Sequence, residues 1–354
     1  MVIPYITTDV DLQRVAESHV QNNYQNFAVS TLPKALVLDK RSGRSNTTNY
    51  NLSALATSLT GALSDWAPGI DPPGPIQMDS TAVAATVRMR TTQSIVRSLR
   101  NGAAFEERIA DLTNNIVPIQ LSKCWQDLSI QISSAMTDTA KFQRFSFTGS
   151  TGEGLDQPSD YSNQNPINDI EKQLVLLRPY VNMGFELRAY LSGRTASVLA
   201  QHPSYTGTGG GVAAGLPMAQ FKERFSAIHG CTTHIFSDLM NSADYGATAT
   251  IVEALAQTDA TTVCFFGLFD TRGGSVYDLR SSSSNDAPDG ALFWACSQDP
   301  TVAHHLDSRR QTEEFWGRHG SGIISPRGAA AGPAADLGFF MRGETSGADL
   351  GIFK

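Results

Sequence analysis

Between Phe105 and Ala135 the apolar residues fall at helical spacing. Phe105, Ile109, Leu112 and Ile116 stand at i, i+4, i+7 and i+11, one face of an amphipathic helix. Pro118 interrupts that run. Because proline is tolerated at the first helical position, it is read as starting a second helix, whose Leu121, Trp125, Leu128, Ile132 and Ala135 share one stripe. At 3.6 residues per turn the stripe runs for about five turns, the longest helix predicted in the chain. Upstream the pattern differs. In residues 1–33, Val10, Val15 and Val20 are too widely spaced for a strong stripe, and the segment reads as a polar arm with helical character. Residues 34–100 read as extended chain, with the polar cluster Ser45-Asn46-Thr47-Thr48-Asn49 and breaks at Pro68, Pro72, Pro73 and Pro75. Ala35–Asp39 is a short apolar run. Val83, Ala85, Val87 and Met89 alternate with Ala84, Thr86, Arg88 and Arg90, so two strands are predicted as the limbs of a long β-excursion.

Phe142, Phe145 and Phe147 lead into the polar stretch Thr148–Asn165, the clearest internal boundary. Beyond it, Asn168 and Glu171 read as a capping pair for a helix carrying Ile170, Leu174 and Leu177 and stopped by Pro179. A strand at Glu186–Ser192 and a short helix at Thr195–His202, closed by Pro203, follow. Pro217 opens another helix, with Met218, Phe221, Phe225 and Ile228 inward and Gly230 at its exit. Strands at Cys231–Phe236, Thr262–Phe269 and Ala291–Ser297 and a helix at Ala247–Ala256 complete a compact α/β unit over 166–300. The remainder, 301–354, is Gly-rich and Arg-bearing, with a helix predicted only at Thr312–Trp316.

Composition sharpens this outline. Only 17% of the 354 residues are charged, below the roughly 25% usual for soluble domains, so much of the polar surface is Ser, Thr, Asn and Gln. Such a surface is cheaper to desolvate against partners. With 27 cationic and 34 acidic residues the net charge is −7, without the basic excess that tight nucleic-acid binding needs. Seven of the cations are Lys and 20 are Arg, the side chain better suited to interfacial ion pairs. Cys124, Cys231, Cys264 and Cys296 have no paired spacing, which points to neither a disulfide framework nor a zinc knuckle and makes a reducing compartment the default. Neither a signal peptide nor a membrane span is expected.

No catalytic set stands out, and no cofactor or metal is expected. Thr206-Gly-Thr-Gly-Gly-Gly211 lacks the strand-to-helix setting of a phosphate cradle, and the next helix starts at Pro217, which has no N–H. His229, Cys231 and His234 match a metal trio by type, but on a strand Cys231 and His234 project to opposite faces. His304-His305 reads as solvated. The adjacent pairs Glu106-Glu107 and Glu313-Glu314 cannot face one another on a helix; they read as first-turn charges complementing helix dipoles, or as intersubunit partners of Arg. Trp66 at the tip of the excursion and Arg41 and Arg44 near its base are interface candidates or plain solvated residues. Arg88 and Arg90, which end one limb on a basic face, join them as candidates, since an isolated hairpin is marginal in water and needs something to lie on.

The order of these parts resembles the Hong Kong 97-type major capsid proteins of tailed phages. The stretches that carry the likeness are Phe105-Glu-Glu-Arg-Ile-Ala-Asp-Leu through Gln120-Leu-Ser-Lys-Cys-Trp-Gln-Asp-Leu, Asn165-Pro-Ile-Asn-Asp-Ile-Glu171, and Phe185-Glu-Leu-Arg-Ala-Tyr-Leu-Ser-Gly193 through Leu199-Ala-Gln-His-Pro203. The resemblance implies an α+β chain with an N-terminal arm (1–33), an extended E-loop (34–100), a peripheral domain with spine helix and linker (101–165), an axial domain (166–300) and a C-terminal return to the peripheral domain (301–354). It implies a non-enzymatic shell protein that assembles with itself as hexamers and pentamers around a double-stranded DNA genome. Scaffolding, portal or decoration proteins would be further partners, contact with packaged DNA weak and non-specific, and membrane contact absent. The location implied is the virion, assembled in the host cytoplasm. Some relatives carry Lys–Asn crosslinks, and Lys34 and Lys40 are the lysines near the proposed E-loop. The short arm suggests a separate scaffold or a removed segment, and Met1 argues against removal. Two other readings share parts of the pattern: an encapsulin-type compartment shell with cargo enzymes, and a soluble α/β enzyme with a β-arm for oligomerisation. Neighbouring genes discriminate the first; a ligand at Thr206–Gly215 or a metal at His229 would favour the second.

Overall fold

A computed structural model describes residues 28–36, 47–52, 83–88, 90–99, 117–147, 155, 163–181, 185–207, 215–236, 239–241, 248, 251–253, 255, 261–270, 276–278, 290–307, 312–324 and 337–344. A 3-10 turn at Ala28–Thr31 leads into β1 (Lys34–Leu36), β2 (Thr47–Leu52), β3 (Val83–Arg88), β4 (Arg90–Leu99), helix α1 (Val117–Met136) and β5 (Gln143–Ser146). Next come α2 (Pro166–Leu174), α3 (Arg178–Val181), β6 (Phe185–Ser192), α4 (Gly193–Gln201), α5 (Pro203–Thr206), α6 (Met218–His229) and β7 (Thr232–Phe236). The chain continues as β8 (Leu239–Asn241), β9 (Ile251–Glu253), β10 (Thr261–Asp270), β11 (Val276–Asp278), β12 (Phe293–Asp307), β13 (Thr312–Ile324) and β14 (Gly338–Glu344).

Two five-stranded sheets organise these elements. The first has the order β11-β1-β12-β13-β4 and the second β5-β14-β10-β6-β7, with small pairs β2-β3 and β8-β9 beside them. In the first sheet β1 runs parallel to both neighbours, whereas β12, β13 and β4 are antiparallel. The register of β12 against β13 shifts between Gln298 and Thr301, where Pro300, with no N–H to give the ladder, is accommodated. In the second sheet the apolar β10 is central, antiparallel to β14 and β6.

Helix α1 lies across β13, β12 and β4. Its predicted stripe is the buried face: Leu121, Leu128 and Ile132 have no exposed surface and Trp125 meets Trp294 of β12 edge-on, ring centroids 6.3 Å apart. Each such side chain stabilises the fold by about 1.5–3 kcal/mol relative to exposure, which fixes the helix on the sheet. The helix predicted over Phe105–Ile116 lies outside the described residues.

Several elements differ from expectation. The limb paired with β3 is β2, not the run at Ala35–Asp39; Lys34–Leu36 instead inserts into the first sheet, between β11 and β12. The cap of α2 is Asn165, whose Oδ1 accepts from the Asn168 N–H at 3.1 Å, with Pro166 supplying the first-turn proline, so Asn168 lies inside the helix. That helix ends at Leu174, and Pro179 sits in the separate α3 rather than stopping it. Pro203 likewise starts α5 after ending α4. In α6, Phe221, Phe225 and His229 are buried, while Met218 is 39% exposed. Gly230 ends the helix at φ 62°, a left-handed conformation that favours glycine.

Two predicted helices are strands. Within Ala247–Ala256, Ile251–Glu253 pairs with β8, consistent with the β-branched run Thr250-Ile251-Val252. Thr312–Trp316 belongs to β13, where pairing on both sides with β12 and β4 overrides local helix preference.

Candidate functional site

Of the predicted interface residues, Arg88 ends β3 opposite Thr47 and Arg90 opens β4 opposite Ser321. Only Met89 separates them, so their backbones mark the junction at which the β2-β3 hairpin leaves the first sheet. Arg41, Arg44, Trp66, Glu106 and Glu107 lie outside the described residues. Glu313 and Glu314 are strand residues of β13, not first-turn helix charges; Glu314 stands opposite His305 on one side and Arg97 on the other.

The His229, Cys231 and His234 trio is divided among separate contacts. His229 is buried and bridges three helices, with Nδ1 2.8 Å from Glu171 Oε1 and Nε2 2.9 Å from Tyr205 Oη. Since a carboxylate only accepts, Nδ1 carries the proton and Nε2 accepts from the tyrosine hydroxyl. Arg178 pairs with the other oxygen of Glu171. Burial holds the His229 pKa below its usual value against the opposing pull of Glu171, and burial pushes the Tyr205 hydroxyl well up. The hydroxyl and imidazole of this chain are sealed, Tyr205 being 0% and His229 1% exposed, whereas the Glu171 carboxylate is 27% exposed beside Arg178. His234 instead stacks on Tyr190, ring centroids 5.1 Å apart, and burial lowers its pKa to about 4. No group of three metal-ligating side chains converges among the described residues.

Beside these groups an open cleft of about 440 Å³ is lined by Val181, Phe185, Leu187, Glu186, Cys231 and Thr232, among others. Its chemistry is quiet. Burial pushes the Cys231 thiol up to about 11, which keeps it out of the nucleophilic thiolate form. The Glu186 carboxylate is engaged by Thr232 at 2.6 Å and by Arg188 at 2.6 and 2.9 Å. Burial disfavours the charge of Glu186, but those hydrogen bonds outweigh it and leave the pKa below the usual carboxylate value. Gly207 caps α5, and Gly209, Gly210 and Gly211 lie outside the described residues; Pro217 precedes α6 without a side-chain cap.

Sequence reasoning missed a polar cluster beneath the N-terminal turn. Arg188 donates to the Thr31 carbonyl while its guanidinium lies over the Phe269 ring, 5.0 Å from the centroid. The Tyr190 hydroxyl accepts from Thr31 Oγ1 at 3.1 Å. Three residues on, the Lys34 ammonium sits 4.7 Å above the Trp294 ring. The sequence signal was the alternation itself: Glu186, Arg188 and Tyr190 share one face of β6 and Leu187, Ala189 and Leu191 the other, which marks a face covered by something polar. Among the described residues no helix is long and apolar enough to cross a membrane.

No family model matches the chain, and no curated protein matches it in sequence. In structure it is similar to a phage-related protein of Bordetella bronchiseptica RB50, with a TM-score of 0.56 at 12% identity over 95% of this chain and 98% of the other. It is also similar to the capsid of Ralstonia phage GP4, with a TM-score of 0.51 at 10% identity over 91% of this chain and 90% of the other. At that identity the likeness is one of fold. The chain is an α+β protein with the fold of a phage capsid subunit, the coarse architecture that the resemblance to Hong Kong 97-type proteins implied.

Proposed function

We propose that this chain is a major capsid protein that assembles with itself into an icosahedral shell around a phage double-stranded DNA genome. The observation that carries the proposal is the end-to-end likeness of fold to the Ralstonia phage GP4 capsid, 91% of one chain and 90% of the other. The sealed Tyr205–His229 pair and the unactivated Cys231 in the cleft fit a structural rather than a catalytic role.

Within that reading, residues 1–33 are the N-terminal arm and the region 34–100 carries the E-loop, whose β2-β3 hairpin departs at Arg88 and Arg90 to lie over a neighbour, while β1 and β4 stay in the first sheet. Residues 101–165 with 301–354 form the peripheral domain, α1 being its spine helix on β12 and β13. Residues 166–300 form the axial domain, which meets its copies in hexamers and pentamers. Arg41, Arg44, Trp66, Arg88, Arg90, Glu106 and Glu107 serve as contacts between copies. Scaffolding, portal or decoration proteins are further partners. A net charge of −7 keeps contact with packaged DNA weak and non-specific. The assembled location is the virion, formed in the host cytoplasm.

The test is negative-stain electron microscopy with light scattering on the recombinant chain, alone and with the products of its neighbouring genes. Closed particles tens of nanometres across are expected. A monodisperse dimer or tetramer under both conditions would overturn the proposal.

A further inference from the structure

The turn at Ala28–Thr31 is wedged between α1 and β7. Two ends hold the short chain that follows, and they differ in kind. At Lys34–Leu36 the backbone is paired on both sides, to β11 and β12, and the Pro33 carbonyl accepts from the Trp294 N–H at 2.9 Å. At Thr31 the grip of the second sheet comes from side chains of one strand: Arg188 on the carbonyl and Tyr190 on the hydroxyl. Thr31 and Lys34 are three residues apart, at most about 11 Å of extended chain. Pro33 stiffens that interval by fixing its own φ. The interval therefore has little slack, and a displacement of the turn is taken up at Thr31, where side chains rather than a paired strand make the hold.

We propose that Arg188 and Tyr190 form a releasable latch on the turn at Ala28–Thr31, fixing the position and direction of this turn on the second sheet. The latch is built for its task. Glu186 holds the guanidinium from one side in a two-nitrogen contact, Phe269 supports its plane, and Thr232 holds the second oxygen of Glu186. Arg188 thus arrives at Thr31 already oriented, which lowers the side-chain entropy lost on closing. Opening it leaves β1 in place, because that strand's ladders belong to the first sheet alone. In the proposed shell, a turn held in one direction would commit the arm to one neighbour and a released turn would free it for another; that consequence rests on the assembly reading, whereas the latch does not.

Hydrogen–deuterium exchange on the full-length unassembled subunit tests the latch whether or not shells form. In Arg188→Gln combined with Tyr190→Phe, peptides covering 28–32 are expected to exchange about tenfold faster, the loss of a charge-assisted hydrogen bond. Peptides covering 34–36 and 261–270 should keep their wild-type rates. Tyr190→Phe alone keeps the buried ring and removes only the hydroxyl, and is expected to give a smaller increase confined to 28–32. Unchanged exchange at 28–32 in both variants would overturn the proposal. So would an equal rise at 261–270 in both, since the pair would then support the second sheet rather than latch the turn.

Discussion

Gly267 of β10 stands directly opposite Gly338 of β14, and neither position has room for a Cβ. A Cβ at 267 would lie 2.8 Å from both Ala291 Cβ and a Phe265 ring carbon, and one at 338 would lie 2.8 Å from the Phe266 carbonyl oxygen. The two glycines let Phe265 fold over the strand and meet Phe142 edge-on, ring centroids 4.9 Å apart. Gly338→Ala meets backbone and is expected to destabilise by about 1–3 kcal/mol, with Gly267→Ala in the same range. Urea unfolding followed by far-ultraviolet circular dichroism reads the difference, and wild-type midpoints in both variants would show that the strands can part.

The hydrogen bond from Tyr205 to His229 ties α5 to α6 in a site without water access. Tyr205→Phe keeps the ring that stacks on Phe225 but strands Nε2 of a buried imidazole. A loss of about 1–3 kcal/mol is expected, the cost of an unsatisfied buried polar group. Equilibrium unfolding checks it, and a neutral result would mean that His229 changes tautomer or finds another donor.

Acid should loosen the subunit through two histidines. His202 and His234 both have folded pKa values of about 4 against an ordinary 6.5, His202 through burial and His234 through burial and then the charges of Arg188 and Lys222. Between those values the unfolded chain binds more protons, so their contribution is complete above about pH 6.5 and is lost as the pH falls toward about 4. His202 has a local reason as well: its Nδ1 accepts from the Ser204 N–H at 3.2 Å to cap α5, and a proton there removes the acceptor. His202→Asn retains a capping oxygen and His234→Phe retains the stacked ring. The double variant is expected to show a flatter decline in urea midpoint between pH 6.5 and 4, and a slope equal to wild type would exclude these two groups as its source.

None of the four cysteines is in a disulfide, and all are buried. Burial raises Cys231 to about 11 and Cys264 well above its usual value, so both stay protonated and shielded at pH 8. A water-soluble disulfide reagent should therefore titrate almost no thiol rapidly in the folded subunit and four after unfolding in guanidinium. Fast reaction of one thiol in the native protein would reveal an opening of the cleft at Cys231.

The elements legible in advance were those whose signal is local and whose partner is a single apolar surface. Leu121, Trp125, Leu128 and Ile132 recur at the helical period, and only one placement buries them together. Phe221, Phe225 and the terminal Gly230 likewise gave α6 and its exit. Where pairing decides, the reading failed. Thr312–Trp316 read as a helix until β12 and β4 closed on both sides of it, and Lys34–Leu36 read as part of an excursion although it is an inner strand of a sheet whose other members, β4 aside, lie beyond residue 275.

The sequence by itself determined the long α1 helix, the apolar centre of β10, the low charge and the order of parts that resembles a capsid subunit. These are properties of composition and short-range periodicity, to which each residue contributes independently of the rest of the chain. Only the tertiary structure decided that Thr31 meets Arg188, that His229 bridges Glu171 and Tyr205, and that Gly267 faces Gly338. Such contacts join residues far apart in the chain, and their strength comes from burial and strand register that exist only once both partners are in place.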